Sequence, residues 1–426
     1  MSEIRLITLD PGHFHAALIQ KEMHPGVSPR VHVYAPLGPD LADHLARIAR
    51  FNLRAEKPTA WEVEVHASPD FLERLVRECA GNVVVLSGRN RGKIDRILAS
   101  IEAGLNVLAD KPWIIDSREL PKLEAALQTA QAKALVACDI MTDRYEITSI
   151  LQRELVQDPD IFGNPVAGAD EEPGVFMESV HHIFKTVAGA PLLRPAWFFD
   201  IHQQGEGLTD VGTHLVDLAA WILFPGESIG RTDLQVIAGR RWPTVLSLAD
   251  FQRVTGEPQF PGFLSEYITG SCLDYYCNTF VSYRLRGIHV QLNVRWNFEA
   301  PPGAGDTHLA IYRGTRSRIE VRQGLEENYR PELYVVGDVH ASVRRRVEAL
   351  GPRFPGLGVE DMGDRLRITI PDCYRIGHEA HFGQVVRQFL EYLKTPASVP
   401  AWETPNMLAK YFVTTRGIDV ARVGAP

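Results

Sequence analysis

Three short segments carry residue types that do chemistry when a fold gathers them. The most specific is Gly205-Glu206-Gly207-Leu208-Thr209-Asp210-Val211-Gly212-Thr213-His214-Leu215-Val216-Asp217. Glycines open the approach and an apolar helical pattern follows. Asp210 and His214 stand at i and i+4, so a helix presents both on one face. Asp217 lies three residues further on. A carboxylate beside an imidazole selects its tautomer and raises its basicity, which suits a general base taking a hydroxyl proton. A helix cap would account for Asp210 but leaves His214 without a role. The second segment is Asp110-Lys111-Pro112. It closes an apolar strand-like run, and in an open parallel sheet the carboxyl ends of strands face the ligand crevice. There the Lys111 ammonium can polarise a developing carbonyl. The third is the turn Asp10-Pro11-Gly12-His13-Phe14-His15, directly after the first strand-like run. A dinucleotide turn reads GxGxxG, so that backbone can approach a pyrophosphate at a helix N-terminus. Gly12 matches; Asp10 and His15 stand at the outer glycine positions. Tyr34-Ala35-Pro36 stands where a ribose-binding acid is usual. On these residues alone, a plain α/β turn and a nucleotide turn both remain open.

These residues need a frame to bring them together. Over the first 140 residues, apolar runs (IRLITL, VHVYAP, NVVVLSG, NVLADKP, ALVACDI) alternate with helical patterns such as HAALIQKEM, PDFLERLVREC and KIDRILASIEAG. Strands alternating with helices predict βαβ units and a parallel sheet covered on both faces. From about 143 the texture changes. Helices are expected near 143–157, 208–223, 379–394 and 404–422. Half-exposed antiparallel strands are expected between 232 and 320, and an irregular insertion at 340–365. The reading is an α/β chain: a Rossmann-like parallel-sheet domain over 1–142, and an α+β domain over 143–426 built on a large, mostly antiparallel sheet.

Composition limits the partners. A formal net charge of −8, with 23% charged and 45% hydrophobic residues, argues against nucleic acid. No apolar run reaches membrane-spanning length and the start lacks the order of a secretory signal, so a cytoplasmic protein is expected. The five cysteines are expected to be thiols. Between residues 178 and 202 lie Glu178, His181, His182, Lys185 and His202. They suit a polar sugar pocket, with His182 and Lys185 as substrate contacts. Imidazole and carboxylate also suit zinc or manganese, but adjacent histidines lack a defined ligand spacing, so no metal site is assigned. Trp197 and Trp296 are either sugar-stacking or core residues.

The stretches NVVVLSGRNRGKIDRILASIEAGLNVLADKPW and GEGLTDVGTHLVDLAAWIL resemble the strand–TPN–helix–EAGKHVLCEKP segment and the GGGxxxDxGxHxxD helix of the Gfo/Idh/MocA oxidoreductases. HFGQVVRQFLEYL is similar to that family's late helix. The resemblance implies an NAD-dependent oxidoreductase acting on the CH–OH group of a sugar or polyol, with NADP possible, and a homo-oligomer formed through the C-terminal sheet. It implies Lys111, Asp210 and His214 at the reacting centre. It places Asp10, Gly12, His13, Phe14, His15, Ser87, Gly88, Asn90, Asp110 and Lys111 along the cofactor. His181, His182, Lys185, Asp210 and His214 are expected to meet substrate. Two alternatives stay open: a redox-neutral, NAD-retaining enzyme that cleaves glycosides or processes 3-keto sugars, and a non-catalytic sugar or nucleotide sensor.

Overall fold

Short apolar strands buried on both faces need a helix over each face, and the N-terminal part of the chain meets that need. A computed structural model describes residues 3–187 and 190–423. Two units divide the chain. Unit 1 runs to Thr142 and includes His202–Gln204 and Gly377–Thr404; unit 2 comprises Asp143–Ile201, Gly205–Ile376 and the chain from Pro405 on.

Unit 1 is built on β1 (Leu6–Leu9), β2 (Arg30–Ala35), β3 (Glu62–Ala67), β4 (Val83–Leu86), β5 (Asn106–Asp110) and β6 (Ala137–Ile140). Their order is β3-β2-β1-β4-β5-β6, every pair parallel. This is the doubly wound order, and the chain reverses direction across the sheet between β1 and β4. The turn after β1 and the loop after β4 therefore share the switch point where such sheets bind ligands.

Two details differ from the sequence reading. β3 was not expected, because Glu-Val-Glu-Val-His-Ala is not an apolar run; it is the sheet's edge strand, with most of its side chains turned to solvent. The helix after the first turn is only His15–Leu18. It stops early because side chains claim its next carbonyls: Trp61 Nε1 donates to Gln20 O at 2.6 Å and Arg54 Nη2 to Lys21 O at 2.5 Å.

Unit 2 carries β7 (Val175–Phe184), the short β8 (Thr186–Val187) and β9 (Ala190–Pro191), β10 (Leu234–Ser247), β11 (Ile268–Thr269), β12 (Cys272–Leu285), β13 (Ile288–Glu299), β14 (Thr307–Arg313), β15 (Arg318–Gln323), β16 (Glu332–Val336), β17 (Gly358–Asp361) and β18 (Leu366–Thr369). Among the described residues β8 pairs only with β9. The others form a ten-stranded sheet in the order β10-β12-β13-β7-β14-β15-β16-β18-β17, with β11 on β12. All its pairs are antiparallel except β13 with β7. The helices Ile147–Val156 and Gly212–Leu223 supply Leu151, Leu155, Leu215 and Ala219 to a core shared with Met177, Val281, Leu292 and Val321 of the sheet. Residues 340–365 are not irregular: they form the helix His340–Leu350 and β17, with Val343 and Val347 buried. His181 and His182 lie on strand β7. All five cysteines are free thiols. Among the described residues no helix is long and apolar enough to cross a membrane.

Candidate functional site

Each unit brings together a set of the residues singled out in the sequence. In unit 1, the turn after β1 is shaped by Asp10, whose φ of +46° gives the left-handed bend that a first glycine usually supplies. Asp10 is pinned by its amide to Tyr34 O at 2.9 Å and by its carboxylate to Arg96 at 3.0 Å. Gly12 N and His13 N both donate to Ser87 O, at 3.1 and 3.2 Å, tying the turn to the loop after β4. Gly88 lies so close that a Cβ there would stand 2.3 Å from Asp10 O. Only a glycine allows that contact.

At the end of β5 the Asp110 carboxylate is the hub. It accepts from Ser87 Oγ at 2.8 Å and pairs with His15 Nδ1 at 2.9 Å, with His13 Nδ1 3.8 Å away. Burial alone would raise the Asp110 carboxyl. The charges of His15, His13 and Lys93 outweigh it and hold the group well below the usual carboxylate range. His15 packs against His378 and Phe382 of the helix His378–Lys394, and Phe14 lies against His13. Lys93, buried, donates to Asn90 Oδ1, to Asp110 O at 3.0 Å and to Pro112 O at 3.1 Å, so it fastens the loop after β4 to the Asp110–Pro112 corner. Asn90 Nδ2 in turn donates to Gln204 O at 2.6 Å. Lys111 is half-buried at that corner. Lys93 was not singled out in the sequence; its place on a helical face reads as solvated until the packing is known.

In unit 2, His214 is buried in the first turn of Gly212–Leu223. The expected single helix is two segments, Gly207–Asp210 and Gly212–Leu223, joined by Val211 in helical geometry. His214 N donates to Val211 O, three residues back, at 3.0 Å. Thr209 and Thr213 hydroxyls bond back to Glu206 O and Thr209 O, at 2.9 and 2.6 Å, which favours such a tightened step. Asp143 brings a carboxylate that the spacing of Asp210 and His214 does not suggest: its Oδ1 stands 3.7 Å from His214 Nδ1. Asp210 is half-buried, and its charge reaches Arg194 and Tyr275. Asp217 serves the helix instead. Arg144 grips it through Nε and Nη2, at 2.6 and 2.7 Å, and Lys410 lies at 3.1 Å.

The histidines of β7 converge on Asp306, a residue that sequence reasoning did not find. It accepts from His182 Nδ1 at 3.0 Å and lies 3.3 Å from His181 Nδ1; the Lys185 ammonium bonds its other oxygen. Burial opposes ionisation of Asp306, but the hydrogen bond and charge of His181, with Lys185, hold its carboxyl below the ordinary range. His181 Nε2 meets Ser179 Oγ at 2.8 Å, so both ring nitrogens are engaged. Its ring lies 4.9 Å from that of Trp296. Nearby, lost hydration pushes half-buried His308 down to about 4, against the charge of Asp143. A neutral imidazole, anchored carboxylates and an ammonium form a hydrogen-bonding array suited to hydroxyl groups. Glu178 does not join it; it bonds Asn293 on β13 at 3.3 Å. His202 belongs to unit 1 and is exposed. Trp197 and Trp296 are core residues, 4% and 6% exposed.

Residues 151–422 match the family described as "Putative oxidoreductase C terminal domain". The chain belongs to this family. A structure from Parabacteroides merdae, described in the same terms, is 44% identical over 100% of this chain and 98% of its own, with a TM-score of 0.97. More distant structures share the two-part fold. One from Thermotoga maritima is 12% identical over 99% of each chain, with a TM-score of 0.63. KijD10 from Actinomadura kijaniata, described as a 3-ketoreductase in complex with NADP and TDP-benzene, is 14% identical over 99% of this chain and 98% of its own, with a TM-score of 0.59. No curated protein matches the chain.

Proposed function

We propose that this chain is a nicotinamide-dependent oxidoreductase of the Gfo/Idh/MocA kind, moving hydride between a carbinol carbon of a sugar or polyol and NAD, with NADP as the alternative. Its family membership supports redox chemistry, and two similar folds are described with NAD or NADP bound. The observation that carries the reading is the unit 1 switch point. The left-handed Asp10, the close approach at Gly88 and the Asp110–Lys111 corner keep the shape of a dinucleotide turn although its outer glycines are replaced. The fit is altered at two places. The His13 amide is spent on Ser87 O, and a buried imidazole replaces the third glycine. Side chains line the turn instead: the His13 imidazole, and Arg96, whose guanidinium meets Asp10. Beyond β2, the first carboxylate in the chain is Asp40, ion-paired to Arg89 at 3.0 Å. Residues Asp10, Gly12, His13, Phe14, His15, Ser87, Gly88, Asn90, Asp110 and Lys111 would hold the cofactor.

When bound, nicotinamide supplies the hydride acceptor. The protein's own work is then proton transfer and charge placement. His214 takes the hydroxyl proton, with Asp143 and Asp210 stabilising the imidazolium. The Lys111 ammonium steadies the developing negative charge on oxygen. His181, His182, Lys185 and Asp306 bind substrate hydroxyls. Their number also favours a second reading: a redox-neutral reaction, in which a transient keto group acidifies its neighbouring C–H and a further base removes that proton.

Replacing His214 with Ala should lower kcat about 10²–10⁴-fold while leaving nicotinamide binding intact. A protein that binds neither NAD nor NADP by titration would overturn the proposal. Turnover that needs only catalytic amounts of NAD would select the redox-neutral reading.

A further inference from the structure

Away from the switch point, the edge of the unit 1 sheet carries a second group of chemistry-bearing side chains. His32 and Tyr34 share one face of β2, two residues apart. Glu64 of β3 pairs in register with His32, and His66 with Tyr34. Four side chains are thereby set in two cross-strand pairs. His32 Nδ1 stands 3.1 Å from His66 Nε2. The Glu64 carboxylate straddles the two rings: Oε2 lies 3.7 Å from His32 Nδ1 and Oε1 lies 3.7 Å from His66 Nε2. These ligand atoms all lie within 4.8 Å of one another.

We propose that His32, Glu64 and His66 form a binding site for one divalent transition-metal ion of the zinc class. Tetrahedral zinc with bonds of about 2.0–2.1 Å sets its ligand atoms about 3.3 Å apart, close to the imidazole spacing here and a few tenths of an ångström inside the carboxylate spacing. Imidazole and carboxylate are the ligands such ions take. The surroundings fit as well. The Tyr34 ring stacks on His66 at 4.2 Å and 12°, fixing its plane. The far nitrogen of His66, Nδ1, faces Glu78 Oε2 at 3.8 Å, and Glu78 is held by Tyr34 Oη at 2.8 Å and Arg74 Nε at 2.7 Å. An outer carboxylate behind a ligating imidazole orients the ring and strengthens it as a donor. The rings are 14% and 9% exposed while Glu64 is 52% exposed, which leaves an entry path and a fourth position for water. A hydrogen bond between two histidines would explain the 3.1 Å contact, but not the carboxylate shared between them or the carboxylate behind His66. The ion would clamp edge strand β3 to β2.

A second group, His13, His15 and Asp110, also has the spacing for a metal. Its Asp110 is already bonded to Ser87 and His15, and it belongs to the turn described above.

The test uses the full chain, stripped with chelator and titrated with zinc and with cobalt. One ion should bind per chain, cobalt should show the intense visible absorption of tetrahedral coordination, and zinc should raise the unfolding temperature by several degrees. Glu64→Gln, a change on an exposed side chain, should weaken binding at least tenfold and abolish the thermal shift with the circular dichroism unchanged. Glu78→Gln should weaken it about tenfold. The site is refuted if no stoichiometric ion binds, if Glu64→Gln and His66→Ala bind as the parent does, or if His15→Ala alone removes the ion. Nicotinamide titration is a separate readout, so failure here and failure of the proposed function are distinguishable.

Discussion

At the residue scale, the side chains that organise the candidate site are the ones without a motif. Asp306 collects His181, His182 and Lys185, and Asp143 stands beside His214. Replacing Asp306 with Asn removes the charge that those three groups share. We expect KM for the substrate to rise at least tenfold with nicotinamide affinity unchanged; steady-state kinetics and a binding titration check both. Asp217 has a different task. Burial would raise its carboxyl, yet Arg144 and Lys410 hold it well below the carboxylate range. Its native value is depressed, so its contribution to stability is full above the unfolded value of about 4 and is lost as pH falls from there towards the lower native value. Asp217→Asn should cost about 3–5 kcal/mol at neutral pH, because buried Lys410 and partly buried Arg144 lose this carboxylate. It should also flatten the acid limb of a stability–pH curve measured by denaturant titration.

At the element scale, the glycine-rich approach to His214 is a packing device. Gly207 passes so near β12 that a Cβ would stand 1.9 Å from Cys277 O. Gly207→Ala should therefore destabilise unit 2 by about 2 kcal/mol or more, measured as a lowered denaturation midpoint with unchanged slope. Between the flanking glycines, buried Glu206 receives Arg241 Nη1 at 2.6 Å and Arg422 Nη2 at 2.8 Å. The loop that delivers the helix is thus anchored both to β10 and to the C-terminal helix Glu403–Val423. The pattern of glycines, Asp210 and His214 was legible in the sequence. The tightened step at Val211 was not, since it follows from threonine hydroxyls bonding backward and from a neighbouring strand.

At the scale of the whole molecule, the doubly wound order of unit 1 puts the turn after β1 beside the loop after β4, and unit 2 is built on the ten-stranded sheet. On its edge strand β10, Ile237 and Val245 are 41% and 58% exposed. Exposed apolar residues on a long edge strand suit an interface between copies of the chain. We expect a homo-oligomer by light scattering, and dissociation when Ile237 and Val245 are both replaced with Lys. A monomeric parent protein would remove this expectation.

Local rules carried the reading a long way. Apolar runs of four to six residues determined β1, β2, β4, β5 and β6, because a strand buried on both faces has no other way to be written. The spacing of Asp210 and His214, and Lys111 after a strand, mark candidate chemistry in the sequence itself. Tertiary structure decided what depends on distant neighbours. β3 is an edge strand whose polar alternation becomes readable only when β2 lies beside it. Lys93 became a buried strut because Asp110 and Pro112 turn their carbonyls towards it. Asp306 gathers two histidines and a lysine from more than a hundred residues away, and His32, Glu64 and His66 meet only through register. Spacing along a chain specifies neighbours within a helix or strand, whereas which strands pair, and in what register, is settled by burial across the whole sheet.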